Sequence, residues 1–143
     1  WLHSEHMLVD GKKMAKSAGN FFTLEDLEKK GYSPLAYRYL LLQTSYKQKV
    51  NFTWESIEAA TTGYQNLKNK IENLKVSRGE TSGSLEDSPR ETYLADFSAK
   101  VSALNTASAL ATLQAVISAK DLSPAQKLDL ISKFDEVLGL KLI

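Results

Sequence analysis

Lys13 and Lys16 stand three residues apart in the run Val9-Asp10-Gly11-Lys12-Lys13-Met14-Ala15-Lys16-Ser17-Ala18-Gly19-Asn20. Two ammonium groups at that spacing can converge on one anion. Each is a compact point charge on a flexible stem, suited to neutralising charge that builds up during phosphoryl or nucleotidyl transfer. Ser17 adds a hydroxyl, and Gly19 lets the backbone approach a ligand closely. A triphosphate is the kind of ligand such a loop can serve. Alone, a Lys-x-x-Lys pair is weak, because short motifs of this type are far more often solvated turns.

Other side chains invite a chemical reading. Tyr46, Lys47 and Lys49 form a small basic-aromatic cluster in a polar connection, Gln43 to Asn51. Lysines of this kind neutralise RNA phosphates without reading sequence, although a solvated loop has the same composition. His3 and His6 are spaced like a metal pair on a helix, but their segment has no helical apolar period and no third ligand is near. They read as surface or active-site-wall histidines. Arg38 sits in an apolar helical stretch, where a structural pairing with an acid such as Asp26 is favoured over a role towards RNA. The last third of the chain offers no paired carboxylates, no nucleophile with a base and no metal cluster. No metal site is assigned.

The elements that must position the loop follow from local pattern. Asp10-Gly11 is a hairpin signal, since both residue types tolerate the positive φ of a tight two-residue turn. Thr23 is a plausible N-cap, with Glu25 and Asp26 in the first turn opposing the helix dipole. Leu24 and Leu27 are expected to face the core, and Gly31 to stop this short helix. Ser33-Pro34 opens the next helix, in which Leu35, Tyr39 and Leu42 share a face and Leu40 and Leu41 broaden it, predicting a well-buried element. Thr53 caps a long helix whose seam is Ile57, Ala60, Tyr64, Leu67, Ile71 and Leu74. Val76 to Arg90, rich in Ser, Gly, Glu and Asp, reads as a flexible linker. Three further stripes follow: Leu94, Phe97, Val101 and Leu104; then Leu110, Leu113 and Ile117 behind a cap at Asn105; then Leu128, Ile131, Phe134 and Leu138 behind Ser123-Pro124, ended by Gly139. The pattern predicts a mainly α fold: a bundle of five to six helices preceded by a short β-hairpin that carries the loop.

Length and composition agree with one ordinary domain or a piece of a larger one: 143 residues, 43% hydrophobic, with a formal charge of +1. Residues 1–50 hold eight Lys/Arg against five Asp/Glu, so the modest basic excess falls on the loop-bearing portion. The absence of cysteine excludes disulfides and thiolate metal sites. No run reaches the ~18 apolar residues of a membrane span, and no secretory signal is visible. The chain opens at Trp1, in what reads as a strand region, and is expected to be part of a longer polypeptide.

Lys13-Met14-Ala15-Lys16-Ser17 resembles the KMSKS signature of class I aminoacyl-tRNA synthetases, with Ala15 in place of the first serine and one hydroxyl lost. Gly-Asn-Phe-Phe-Thr from Gly19, Gly-Tyr-x-Pro-Leu-Ala-x-Arg-Tyr-Leu-Leu-Leu from Gly31, and Tyr46 followed by Val50-Asn51-Phe52-Thr53 narrow the resemblance to cysteinyl-tRNA synthetase. Trp1-x-His3, Leu104-Asn105-Thr106-Ala107 and Phe134 to Leu140 extend it along the chain; Ser102 and Ala103 depart from it, standing where the family usually has acidic residues. This context reverses the odds against the lysine pair.

The resemblance implies ATP, with Mg2+, as a substrate of the full enzyme, alongside cysteine and tRNA(Cys). Lys16 would stabilise the departing pyrophosphate, with Lys13 as supporting cation. Lys13, Met14, Lys16 and Ser17 would together form the ATP-phosphate site, and Tyr46, Lys47 and Lys49 a tRNA contact. Zinc would belong to the catalytic domain upstream, outside this chain. The organisation implied is 1–22 as the end of the catalytic domain, 23–60 as a stem-contact-like region, 54–75 as a long bundle helix, 76–90 as a linker and 91–143 as the remaining helices. A monomeric, cytoplasmic protein without membrane contact is expected, and a piece lacking the HIGH-type motif is expected to be inert alone. Two other readings stay open: the related cysteine:glucosaminyl-inositol ligase, and a non-enzymatic helical RNA-binding module.

Overall fold

Asp10 and Gly11 take φ of 49° and 75°, so both central residues of the turn are left-handed. That geometry matches the twist of a two-residue hairpin and explains why Asp-Gly stands there. The turn joins β1 (Leu8–Val9) to β2 (Lys12–Lys13), with Leu8 opposite Lys13 and Val9 opposite Lys12. The structure, a computed structural model, describes residues 1, 3–77 and 88–143. The chain divides into two compact units, Trp1–Gln65 and Asn66–Ile143, each described by itself below.

The first unit contains a strand that the pattern did not announce. β3 (Asn51–Phe52) pairs parallel to β1, giving the order β2-β1-β3. Leu8 N–H donates to the Val50 carbonyl at 2.8 Å, and Asp10 N–H to that of Phe52 at 3.1 Å. Two residues are too few to show alternation, and their ladder partner lies some 40 positions away. The expected strand around Trp1 is absent, since no described residue before Leu8 belongs to a regular element.

α1 (Leu24–Lys29) begins on a reciprocal cap. Thr23 N–H donates to the Asp26 carboxylate at 2.8 Å, and Asp26 N–H returns to the Thr23 hydroxyl at 3.3 Å. Gly31, at φ +84°, closes the helix, with Gly31 N–H on the Glu28 carbonyl and Tyr32 N–H on that of Leu27. Leu27 is buried as expected, but Leu24 is 52% exposed. α2 (Pro34–Leu42) is capped by Ser33 with proline at its first position. Only Ala36 and Tyr39 are buried on it, so the expectation of a well-buried helix is corrected: Leu35, Leu40, Leu41 and Leu42 are half-buried. Arg38 is exposed, and the Asp26 carboxylate bonds the Thr23 N–H and hydroxyl at the cap.

α3 (Trp54–Ser77) starts from a second reciprocal cap, Thr53 with Ser56, each hydroxyl accepting the other's N–H at 3.0 Å. Ile57, Ala60, Tyr64, Leu67 and Ile71 are buried, and Leu74 is half-buried, along the expected seam. Gly63 leaves room for Tyr39, whose ring lies 3.2 Å from where a Cβ would stand. Aromatic rings tie β3 and the start of α3 to the chain leaving the loop. Trp54 meets Phe22 and Phe52 edge-on, at 5.1 and 5.3 Å, and stacks on Tyr32 at 6.0 Å.

In the second unit α4 (Ser88–Ser102), α5 (Thr106–Ser118) and α6 (Pro124–Leu138) pack pairwise on one another. Phe97 of α4 stacks on Phe134 of α6, ring centroids 3.9 Å apart and planes 5° from parallel. Asn105 and Ser123 cap as expected, and Gly139 ends α6 at φ 62°. One stripe is corrected: of Leu94, Phe97, Val101 and Leu104 only Phe97 is buried, and Leu104 is 42% exposed. It lies past the end of α4 at φ 55°, closing the helix where glycine is the usual residue. Most of the expected 76–90 linker lies outside the described residues. Its flanks are helical, with α3 running to Ser77 and α4 starting at Ser88.

Candidate phosphate-binding loop

The loop after the hairpin is a closed turn rather than an open tether. Lys16–Ala18 form one 3₁₀ turn. Ala18 N–H donates to the Ala15 carbonyl at 3.1 Å and Gly19 N–H to that of Lys16 at 3.2 Å. Gly19, at φ 67°, turns the chain back. Asn20 then bonds both sides of Met14: its Oδ1 accepts Ala15 N–H at 3.0 Å, and its Nδ2 donates to the Lys13 carbonyl at 3.2 Å. At the hairpin tip, Gly11 N–H donates to Oδ1 of Asn51 at 2.8 Å.

These bonds present the expected residues in a definite order. Lys13, Lys16 and Ser17 are exposed, and Lys16 Nζ lies 5.3 Å from the centre of the Phe21 ring. Met14, grouped with them in the sequence reading, is half-buried and lines an apolar pocket with Met7, Val9, Phe22, Tyr37 and Phe52. Burial raises the Tyr37 hydroxyl above its ordinary pKa, and that hydroxyl donates to Met7 Sδ at 3.5 Å. The surface of the loop is thus cationic and its underside apolar. Exposed ammonium groups on a backbone-bonded turn can follow a polyphosphate without moving the turn itself.

Tyr46, Lys47 and Lys49 are placed near the strand that supports the hairpin. Tyr46 is half-buried and its carbonyl accepts Glu5 N–H at 2.9 Å; Lys47 Nζ lies 5.6 Å from the Tyr46 ring centre. Lys47 and Lys49 are exposed. His3 and His6 are exposed, and His6 Nδ1 lies 3.7 Å from the Glu5 carboxylate. Among the described residues no group of three His, Cys, Asp or Glu side chains is placed to hold a metal ion, and no helix is long and apolar enough to cross a membrane. The sequence reading missed the bracing roles of Asn20 and Asn51. Both stood in quoted motifs, but nothing in a linear pattern shows which backbone groups an amide side chain will reach.

The profile of the family described as tRNA synthetases class I (C) catalytic domain matches residues 1–62. The chain is 40% identical to the cysteine–tRNA ligase of Chlamydia abortus over 153 aligned positions, covering 98% of this chain and 32% of that protein. It is 38% identical to the cysteine–tRNA ligase of Novosphingobium aromaticivorans, covering 100% of this chain and 29% of that protein. Identity reaches 53% with the enzyme of Chlamydia muridarum over 75 positions, which span 52% of this chain and 16% of that protein. The chain spans about a third of the length of these longer-matching relatives.

Proposed function

This chain belongs to the cysteinyl-tRNA synthetase family, and on that premise we propose that it is the part of a cysteine–tRNA ligase that carries the ATP-phosphate loop and tRNA-facing helices. The observation that carries the reading is the loop itself. Lys13, Lys16 and Ser17 lie exposed on a turn braced by Asn20 and by the hairpin, within the stretch that matches the class I catalytic domain. The full enzyme joins the cysteine carboxylate to the α-phosphorus of ATP, and the bond to pyrophosphate breaks. Negative charge gathers on the leaving phosphates as that bond lengthens. Lys16 meets it, with Lys13 as the second cation and the Ser17 hydroxyl as a donor. Such groups accelerate the step because they bind the transition state more strongly than bound ATP.

ATP enters with Mg2+, which supplies further charge neutralisation at the phosphates. The zinc of the family belongs to a part of the catalytic domain upstream of Trp1, outside this chain, whose own residues contain no cysteine. Tyr46, Lys47 and Lys49 contact the tRNA backbone, and their lysines contribute affinity rather than sequence selectivity. The protein works in the cytoplasm as a monomer, and the isolated chain does not form the adenylate.

The test is Lys16→Ala in the full-length protein, with cysteine-dependent ATP–pyrophosphate exchange measured beside tRNA binding. A loss of roughly 100-fold or more in exchange with tRNA binding retained is expected for a removed electrostatic donor. Unchanged exchange with weakened tRNA binding would make the loop an RNA contact and overturn the assignment.

A further inference from the structure

Asn20 stands four residues beyond Lys16, yet its side chain fixes the backbone on the near side of that lysine. Its acceptor takes Ala15 N–H at 3.0 Å and its donor reaches the Lys13 carbonyl at 3.2 Å. Among neutral side chains, only the terminal amide of Asn and Gln carries a strong acceptor and a two-hydrogen donor on one planar group. On the far side, the Lys16 carbonyl accepts Gly19 N–H at 3.2 Å. The peptide groups flanking Lys16 are held by Ala18 N–H on the Ala15 carbonyl and Gly19 N–H on the Lys16 carbonyl, and the Asn20 amide holds the two peptide groups before them, on either side of Met14, the first of which carries the carbonyl of Lys13. Gly19, at φ +67° with open space around the position of a Cβ, supplies the left-handed turn that lets Asn20 fold back.

The geometry points to Asn20 as the positioning residue for the Lys13–Lys16 pair: it sets the origin of both cationic stems, so that their ammonium groups meet the leaving phosphates without a search through loop conformations. The inference rests on the phosphate-loop reading above. Asn20 itself touches no phosphate; its effect is exerted through Lys13 and Lys16. Misplacing a reacting or stabilising group by about 1 Å costs on the order of 100-fold in rate. A floppy loop would still bind ATP with the rest of the site, so the loss belongs in kcat rather than KM.

The experiment uses the full-length protein with Asn20→Ala, Asn20→Asp, Lys16→Ala and the double variant Lys16→Ala/Asn20→Ala, read by cysteine-dependent ATP–pyrophosphate exchange. Asn20→Ala is expected to lower kcat by roughly 10- to 100-fold while KM for ATP moves less than about threefold. Asn20→Asp keeps the acceptor for Ala15 N–H but sets a carboxylate against the Lys13 carbonyl, and it too is expected to lower kcat. In the double variant the loss beyond that of Lys16→Ala alone should be smaller than the loss Asn20→Ala causes by itself, since only Lys13 is left to position. Thermal unfolding of each variant separates loop effects from loss of fold. Exchange at the starting level in Asn20→Asp or Asn20→Ala overturns the inference. So do losses that multiply in the double variant, which would make Asn20 a structural residue independent of Lys16. If Lys16→Ala alone leaves exchange intact, the phosphate-loop reading fails first, and the role of Asn20 falls with it.

Discussion

The side-chain oxygen of Asn51 accepts the N–H of Gly11 at 2.8 Å, across 40 residues of chain. It joins the strand that follows Tyr46, Lys47 and Lys49 to the turn that precedes Lys13. The hairpin is thus held on its open edge by a backbone ladder, through β3, and at its tip by one amide. A loop braced at tip and base presents its lysines from a fixed frame.

Asn51→Ala should free the Gly11 amide. Its hydrogen exchange is expected to speed up with that of Asp10, while amides in α5 stay protected. The stability cost should be about 0.5–1.5 kcal/mol, the net value of an ordinary hydrogen bond. Asn51→Asp retains the acceptor and should preserve protection at Gly11. Unchanged exchange in the alanine variant would show that the backbone ladder alone sets the hairpin.

Met14 separates the cationic face of the loop from the apolar pocket beneath it, formed in part by Met7, Val9, Phe22, Tyr37 and Phe52. Met14→Leu keeps volume and polarity and should leave ATP–pyrophosphate exchange of the full-length protein within about threefold. Met14→Gln sets an amide against apolar walls, which costs about 1–3 kcal/mol where it finds no partner. A fall of roughly tenfold in exchange, equivalent to about 1.4 kcal/mol, is expected. Equal activity of the two variants would mean that the seat of Met14 does not govern the loop.

The caps show how far local sequence carries. Thr23, Ser33, Thr53, Asn105 and Ser123 each capped the helix expected of them, because a cap depends on residues two or three positions away. The α3 seam was legible for the same reason, its period being written along one helix. What escaped was non-local. β3 exists through its pairing with β1, and the roles of Asn20 and Asn51 depend on backbone groups brought near by the turn. Periodicity also overstated burial: Leu94 and Leu104 continue the α4 stripe, but the helix ends before Leu104, and Phe97 alone of the four is buried. The candidate cations were legible by type and spacing; the frame that holds them was not.

Asp96, Lys100 and Thr112 form a closed polar triangle where α4 meets α5. Lys100 Nζ donates to Asp96 Oδ2 at 2.6 Å and to the Thr112 hydroxyl at 2.7 Å, and that hydroxyl donates to Asp96 Oδ2 at 2.6 Å. The bonds from Lys100 and then Thr112 hold the Asp96 carboxyl below its ordinary value of 3.8. A carboxylate depressed in the folded state stabilises it above the unfolded value, and that contribution is lost as pH falls through the folded value. The urea midpoint should therefore drop below about pH 4, and Asp96→Asn should remove part of that drop. An identical pH profile in Asp96→Asn would show that the triangle contributes nothing to acid sensitivity.

The end of α6 depends on Asp135. Its two carboxylate oxygens accept the N–H groups of Leu140 and Leu142, each at 2.7 Å. Leu140 and Leu142 are 0% and 2% exposed, so the bonds hold two core side chains in place after the left-handed turn at Gly139. Lys141 between them is also left-handed, at φ 53°, a conformation unfavourable for a residue with a Cβ. The paired bonds offset that strain. Asp135→Ala removes both acceptors, and with bonds to a charged group worth about 1.5–3 kcal/mol each and little additivity, a loss of roughly 2–4 kcal/mol is expected. Asp135→Asn keeps one acceptor and should lose about half as much. The check is urea unfolding together with hydrogen exchange at the Leu140 and Leu142 amides. Exchange should rise at both amides in Asp135→Ala and at one in Asp135→Asn. Protection at both amides in the alanine variant would mean that burial of the leucines, rather than the carboxylate, pins the segment.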